Sequence, residues 1–232
     1  MEEKMNSNKK IARIVGVLFM IGTVAGVLSA VFTRPILGAP DYLIEVSANE
    51  NQIITGVLLV LIMGFALAMV PVMMFPILKK YNEALALGSV VFRGALEAVT
   101  YIAIVIGWLL LLVLSREYVK AGTPDASYFQ ILGTLLLEAV DWSSQILAIV
   151  FSLGALMIYY LFYQSKLIPR WLSVWGLIGA ILYLATPLLG MFGSDLGMLM
   201  VPLALQEMVL AVWLIVKGFD SSAIASGFAK QI

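Results

Sequence analysis

An all-α polytopic bundle of six transmembrane helices is the fold class that this sequence predicts, and three observations predict it. Hydrophobic residues make up 62% of the 232 and charged residues only 12%, against roughly 25% charged in soluble domains. The mean hydropathy is +1.03. The apolar residues also come in long blocks separated by short polar punctuation, each block long enough for a helix rising 1.5 Å per residue to cross ~30 Å of hydrocarbon. A transmembrane β-barrel would instead show segments of about ten residues alternating in hydropathy.

The first span, 11–33, follows Lys9, Lys10 and Arg13. It is too long for a signal-peptide core and no small-residue cleavage site precedes Arg34 and Pro35, so it is read as a retained helix. Gly22, Gly26 and Ala30 give it a small-xxx-small ridge suited to packing within one subunit. Segment 34–52 is the longest connection and has room for a short surface helix. The second span, 53–78, contains Pro71 and Pro76; the third, 84–114, carries Arg93 and Glu97. The fourth, 129–163, would run ~50 Å as one helix, longer than hydrocarbon requires. It ends on Tyr159, Tyr160 and Tyr163 near Lys166, Arg170 and Trp171, the pattern of an interfacial aromatic belt. The fifth, 171–192, holds Pro187 and a Gly176/Ala180 ridge, and the sixth, 197–217, holds Pro202 and Glu207. These prolines are expected to kink or end their helices, and a kink at Pro202 would turn freed carbonyls toward Glu207. Residues 1–10 and 218–232 read as short cytoplasmic tails flanking a single domain over 11–217.

Orientation follows from the basic residues. Lys4, Lys9, Lys10, Arg13, Lys79, Lys80, Lys166, Arg170, Lys217 and Lys230 fall on the side of the N-terminus, and only Arg34, Arg116 and Lys120 on the other. By the positive-inside rule both termini are expected in the cytoplasm. The opposite loops are acidic, with Asp41, Glu45, Glu50, Glu117, Asp125 and Asp195.

The chain has no Cys and no His, which removes thiol nucleophiles, Cys/His zinc sites, histidine-ligated haem and imidazole bases. Its net charge is zero and no basic run exceeds two residues, so no nucleic-acid surface is expected. No cofactor is expected, and no residue is assigned a catalytic role, since DxxxD, HExxH and GxSxG patterns are absent.

A charge in hydrocarbon is unfavourable by at least ~2.5 kcal/mol, and buried ionisable residues mark sites or pathways. Counting up from Ala84 and Lys217 puts Arg93 and Glu207 each ~15 Å into the membrane, so they can pair. Glu97 stands one turn beyond Arg93, and Tyr101 continues that face. If all three charged groups ionise, the cluster carries a net negative charge, so one carboxyl is expected to hold a proton, or a cation to be bound. In the fourth span Glu138, Asp141 and Gln145 share one face with Trp142 beside them, predicting an acidic mouth above the cluster. Lacking His, a metal at Glu138 and Asp141 would be a hard ion such as magnesium or calcium.

Several stretches carry a family likeness: VFRGALEAVTY from Val91, EAVDWSSQILAIVFSLGALMIYYLFYQSKLIPRWLSVWGLIGAILYL from Glu138 and PLALQEMVLAVWLIVKGF from Pro202. They resemble the bacterial integral-membrane family described as domain of unknown function 4386, over roughly residues 10–219. The resemblance implies a compact helical protein of the bacterial plasma (inner) membrane and carries no activity with it. Arg93 with Glu97 resembles its arginine–acid pair, and Asp141–Trp142 its polar entry to the fourth span. Many members place a His before that Asp, where this chain has Val140, so no histidine chemistry carries over.

Three functions fit these residues. One is a small transporter or ligand-binding membrane protein for a small amphiphile or cation, for which six spans point to a homodimer. The second is an accessory, regulatory or immunity-type protein whose buried charges serve packing. The third is an intramembrane lipid-active enzyme using carboxylates. The lipid bilayer is the partner common to all three.

Overall fold

The computed structural model describes residues 2–122, 126–194 and 196–229. Asp125, Asp195, Lys230 and the side chain of Lys4 lie outside what is described. The described residues form helices α1 (Glu2–Leu37), α2 (Tyr42–Ala48), α3 (Glu50–Leu78), α4 (Glu83–Ser89), a π-helical turn (Val90–Leu96), α5 (Glu97–Ala121), α6 (Ala126–Ser165), α7 (Arg170–Gly190), a 3-10 turn (Gly197–Met200), α8 (Val201–Val216) and α9 (Ser221–Ala229). Among the described residues six stretches are long and apolar enough to cross a membrane: Asn8–Leu37, Glu50–Leu78, Glu83–Ala121, Ser127–Ser165, Arg170–Gly190 and Gly197–Val216. This is a multi-pass helical membrane protein.

Helix ends follow local chemistry. Asn82 opens α4 by accepting the Leu85 N–H at 3.0 Å, a side-chain N-cap. Gly218, at φ 74°, closes α8 while the N–H groups of Lys217 and Gly218 both return to the Trp213 carbonyl. A left-handed residue is the usual helix stop and glycine adopts it without strain. Lys166 takes the same conformation after α6, at φ 57°, with a Cβ to accommodate.

Small residues let the helices approach. A Cβ on Gly22 would fall 2.7 Å from Leu67, and one on Gly16 would fall 2.6 Å from the Ala211 carbonyl. The small-residue ridge of α1 thus packs on α3 within the subunit, where Ser29 also donates to the Gly56 carbonyl at 2.9 Å. Phe19, Met74, Leu78, Ile158, Tyr159 and Phe162 fill the main core. A smaller core of Ile36, Leu43, Val46, Ile53, Leu111 and Leu112 lies at the opposite end, where α2 packs. Gly218 sits against Ala12 and Lys9, so the chain's two ends share one end of the bundle, together with Tyr81, whose hydroxyl donates to the Ala223 carbonyl at 2.9 Å.

Four expectations change. The helix in segment 34–52 exists as α2, but its Leu43 and Val46 are buried rather than lying on a surface. Pro202 stands in the first turn of α8, where its missing N–H has no helical acceptor to leave unpaired, so it starts the helix and frees no carbonyl toward Glu207. Helices α5 and α6 run past 114 and 163, because polar residues such as Arg116 and Lys120 extend a helix beyond hydrocarbon as readily as apolar ones do. The segment after 217 is not a bare tail. It forms α9, capped by Asp220, whose carboxylate accepts from the N–H groups of Ser222 and Ala223 at 2.9 Å each. The Ser222 side chain and these N–H groups hold the Asp220 carboxyl below its ordinary range.

Candidate functional site

Arg93 lies in the π-helical turn that joins α4 to α5. A π turn adds a residue to the helical circuit and is found mostly as a single turn at functional positions. Its neighbour across the packing is Gly154 of α6: a Cβ there would fall 2.7 Å from the Arg93 Cβ and 2.8 Å from its amide nitrogen. The absent side chain therefore lets the π turn seat against α6.

The guanidinium is fully enclosed. Its Cζ lies 4.5 Å from the Phe151 ring centre and 5.2 Å from that of Phe19, distances at which an aromatic face attracts a cation. One nitrogen, Nη2, lies 2.7 Å from Glu207 Oε1, and Nε lies 4.0 Å from Glu97 Oε2. The 2.7 Å contact joins α4–α5 to α8 across the bundle. It is a short charge–charge contact between a guanidinium and a carboxylate, both buried. The Tyr159 hydroxyl stands 3.5 Å from the same Glu207 oxygen.

Glu97 differs from Glu207. It is 1% exposed, and apart from Arg93 at 4.0 Å the polar group that bears on it is the Tyr101 side chain one turn on. More than nine in ten buried polar groups are satisfied in folded proteins. Next to Glu207, Gln206 donates to the Leu172 carbonyl at 3.0 Å while its own oxygen is unpartnered. The cluster thus contains one cation and two carboxyl groups, with the Tyr159 hydroxyl beside Glu207 and the Tyr101 side chain beside Glu97.

Tyr101 sits one turn from Glu97, its ring laid on Gly64, where a Cβ would meet it at 3.0 Å. It forms part of the wall of an open cleft of about 560 Å³ that runs between α1, α3, α5 and α6 to Arg34 and Asp141. A second cleft, of about 610 Å³, is lined by Gln145, Thr186, Pro187 and Met200. Arg34, Asp141 and Ser144 line both. Arg93, Glu97 and Glu207 line neither.

The structure therefore brings together Arg93, Glu97 and Glu207, with Tyr101 bordering the cleft beyond them. It does not bring the expected mouth together in the same way. Asp141 and Gln145 line clefts, whereas Glu138 and the half-exposed Trp142 line neither. The wall of α6 is built by Leu137, Val140, Asp141, Ser144 and Leu147, a stripe centred away from Glu138. Among the described residues no three acidic groups converge on one point, so the hard-ion site expected at Glu138 and Asp141 has no third carboxylate. Phe19, Phe151, Gly154 and Arg34 belong to the site without having been read as part of it from sequence, and Tyr159, expected in an interfacial belt, is instead fully buried beside Glu207. Only Gly154, interrupting an apolar span, carries a local signal of close approach.

The fold and this cluster define a multi-pass helical membrane protein with an enclosed arginine–carboxyl centre beneath an open cleft. The chain belongs to the family described as domain of unknown function 4386, whose model matches residues 14–218. No curated protein and no solved structure matches it.

Proposed function

We propose that this protein is a membrane-embedded binding protein, and at its fullest a small carrier working as a homodimer, for an amphiphile that enters the cleft between α1, α3, α5 and α6. The observation that carries the reading is that Tyr101 lines that cleft and its side chain bears directly on the buried Glu97 carboxyl one turn away. Glu207 neutralises Arg93 at 2.7 Å. A second ionised carboxylate would leave a net charge in low dielectric, so the spare group, Glu97, holds a proton. An occupant pressing on Tyr101 changes the space around Glu97 and hence the free energy of that proton. Basic residues at the end shared by the two termini support a bacterial inner-membrane orientation with both termini inside and the cleft opening outward.

The packing reading has its own support, because the cluster lines neither cleft. Thermal unfolding in detergent against a panel of amphiphiles separates the two. A ligand at about 100 times its Kd stabilises by about 2.7 kcal/mol. Ala30 lines the cleft, and Ala30→Trp, which fills it, is expected to abolish that stabilisation. An unchanged response in Ala30→Trp, or no response from the unmodified chain, rejects the cleft as the binding site.

A further inference from the structure

We infer that the cleft selects amphiphiles with a zwitterionic headgroup. This rests on the binding reading above and names its ligand class. The acidic mouth expected from sequence would favour a plain cation, but the rim has a different charge pattern. Arg34 and Asp141, of opposite sign, line both clefts where they meet. Both are exposed, and no ion pair within 4.0 Å engages either one among the described residues. Glu138 lines neither cleft and reaches the rim only through its charge on Asp141, one turn along α6.

Below the rim the polar groups are already engaged. Ser29 donates to Gly56, Thr33 to the Ser29 carbonyl and Ser144 to the Val140 carbonyl. What remains is an apolar throat walled by Val60, Met63, Ile104, Trp108 and Leu147. A volume of about 560 Å³ lies within the ~300–1,000 Å³ of small-molecule sites. The matching ligand carries one anionic and one cationic group on a short head, with an apolar tail for the throat. Arg34 presents a planar fork suited to a phosphate or carboxylate, and Asp141 balances a quaternary ammonium. A head of only one sign would meet one attractive and one repulsive rim residue, and like-charge juxtaposition is what excludes wrong partners.

The test uses three probes with the same dodecyl tail, each below its micelle concentration: dodecylphosphocholine, dodecyltrimethylammonium and dodecyl sulfate. The full chain is held in amphipol. Binding is read from Trp108 fluorescence in a variant with the other tryptophans replaced by Phe, and from thermal shift of the unmodified chain should that variant not fold. The expected result is dodecylphosphocholine tightest by about tenfold. Arg34→Gln should then move the preference toward dodecyltrimethylammonium, and Asp141→Asn toward dodecyl sulfate. A cationic probe that binds tightest, or one rank order shared by all three proteins, overturns the zwitterion inference and leaves cleft binding standing. No response to any probe by either readout overturns cleft binding itself.

Discussion

Arg93 is a permanent cation held between two phenylalanines and beside two carboxyl groups, and those neighbours decide how each substitution behaves. Arg93→Gln leaves Glu207 buried without its partner and is expected to destabilise by about 3–5 kcal/mol. Glu97→Gln keeps the 2.7 Å pair and the neutral total, so its loss should be a small fraction of that. Glu207→Gln falls between, because Glu97 can ionise to serve Arg93 only from 4.0 Å. Adding Glu207→Gln to Arg93→Gln removes the stranded charge and should recover more than about 1 kcal/mol of the loss. Denaturation in detergent measures all four; equal losses from Glu97→Gln and Glu207→Gln would contradict the assignment of the spare proton. The three charged residues were legible because a charge at matched depth in two apolar spans stands out. Phe19 and Phe151 were not, since an aromatic residue in an apolar span carries no mark of which neighbour it faces.

Among the elements, the π turn and α9 have the clearest consequences. Gly154→Val puts carbon atoms where the Arg93 backbone now lies, and overpacking of this kind typically destabilises by about 1–3 kcal/mol. It should also weaken the Arg93–Glu207 contact, so that combining it with Glu207→Gln gives less than the sum. Asp220→Ala removes the cap of α9 at about 1 kcal/mol, and protease cleavage within 221–229 reads it. Because the folded state holds the Asp220 carboxyl low, its contribution is present above the ordinary carboxylate pKa and disappears as pH falls through the lowered one. Helix existence was plain from length and hydropathy. The π turn was not, because an i→i+5 circuit uses the same apolar residues as an α-helix. Lys166 likewise stops α6 in a conformation that sequence reasoning reserves for glycine.

At the scale of the whole molecule, six spans place both chain ends together, and a cysteine-free sequence makes their sidedness easy to read. Single cysteines at Lys166 and at Gly38 should be labelled by a membrane-impermeant thiol reagent from opposite sides, with Gly38→Cys reactive in intact cells. The reverse pattern would invert the orientation and turn the cleft inward. The bundle was legible from the spacing of apolar blocks. The clefts were not, because they depend on which side of α6 faces inward, and only about 60° around the helix separates Asp141 from Glu138.

Coupling between an occupant of the cleft and the proton on Glu97 is tested most directly by infrared difference spectroscopy. Spectra of the unmodified chain and of Glu97→Gln would be compared with and without dodecylphosphocholine. The prediction is a protonated-carboxyl band in the unmodified chain that shifts or disappears when the amphiphile binds and is absent from the difference spectrum of Glu97→Gln. Binding reported by Trp108 fluorescence with no change in that band would contradict the coupling and make the arginine–carboxyl cluster a packing device.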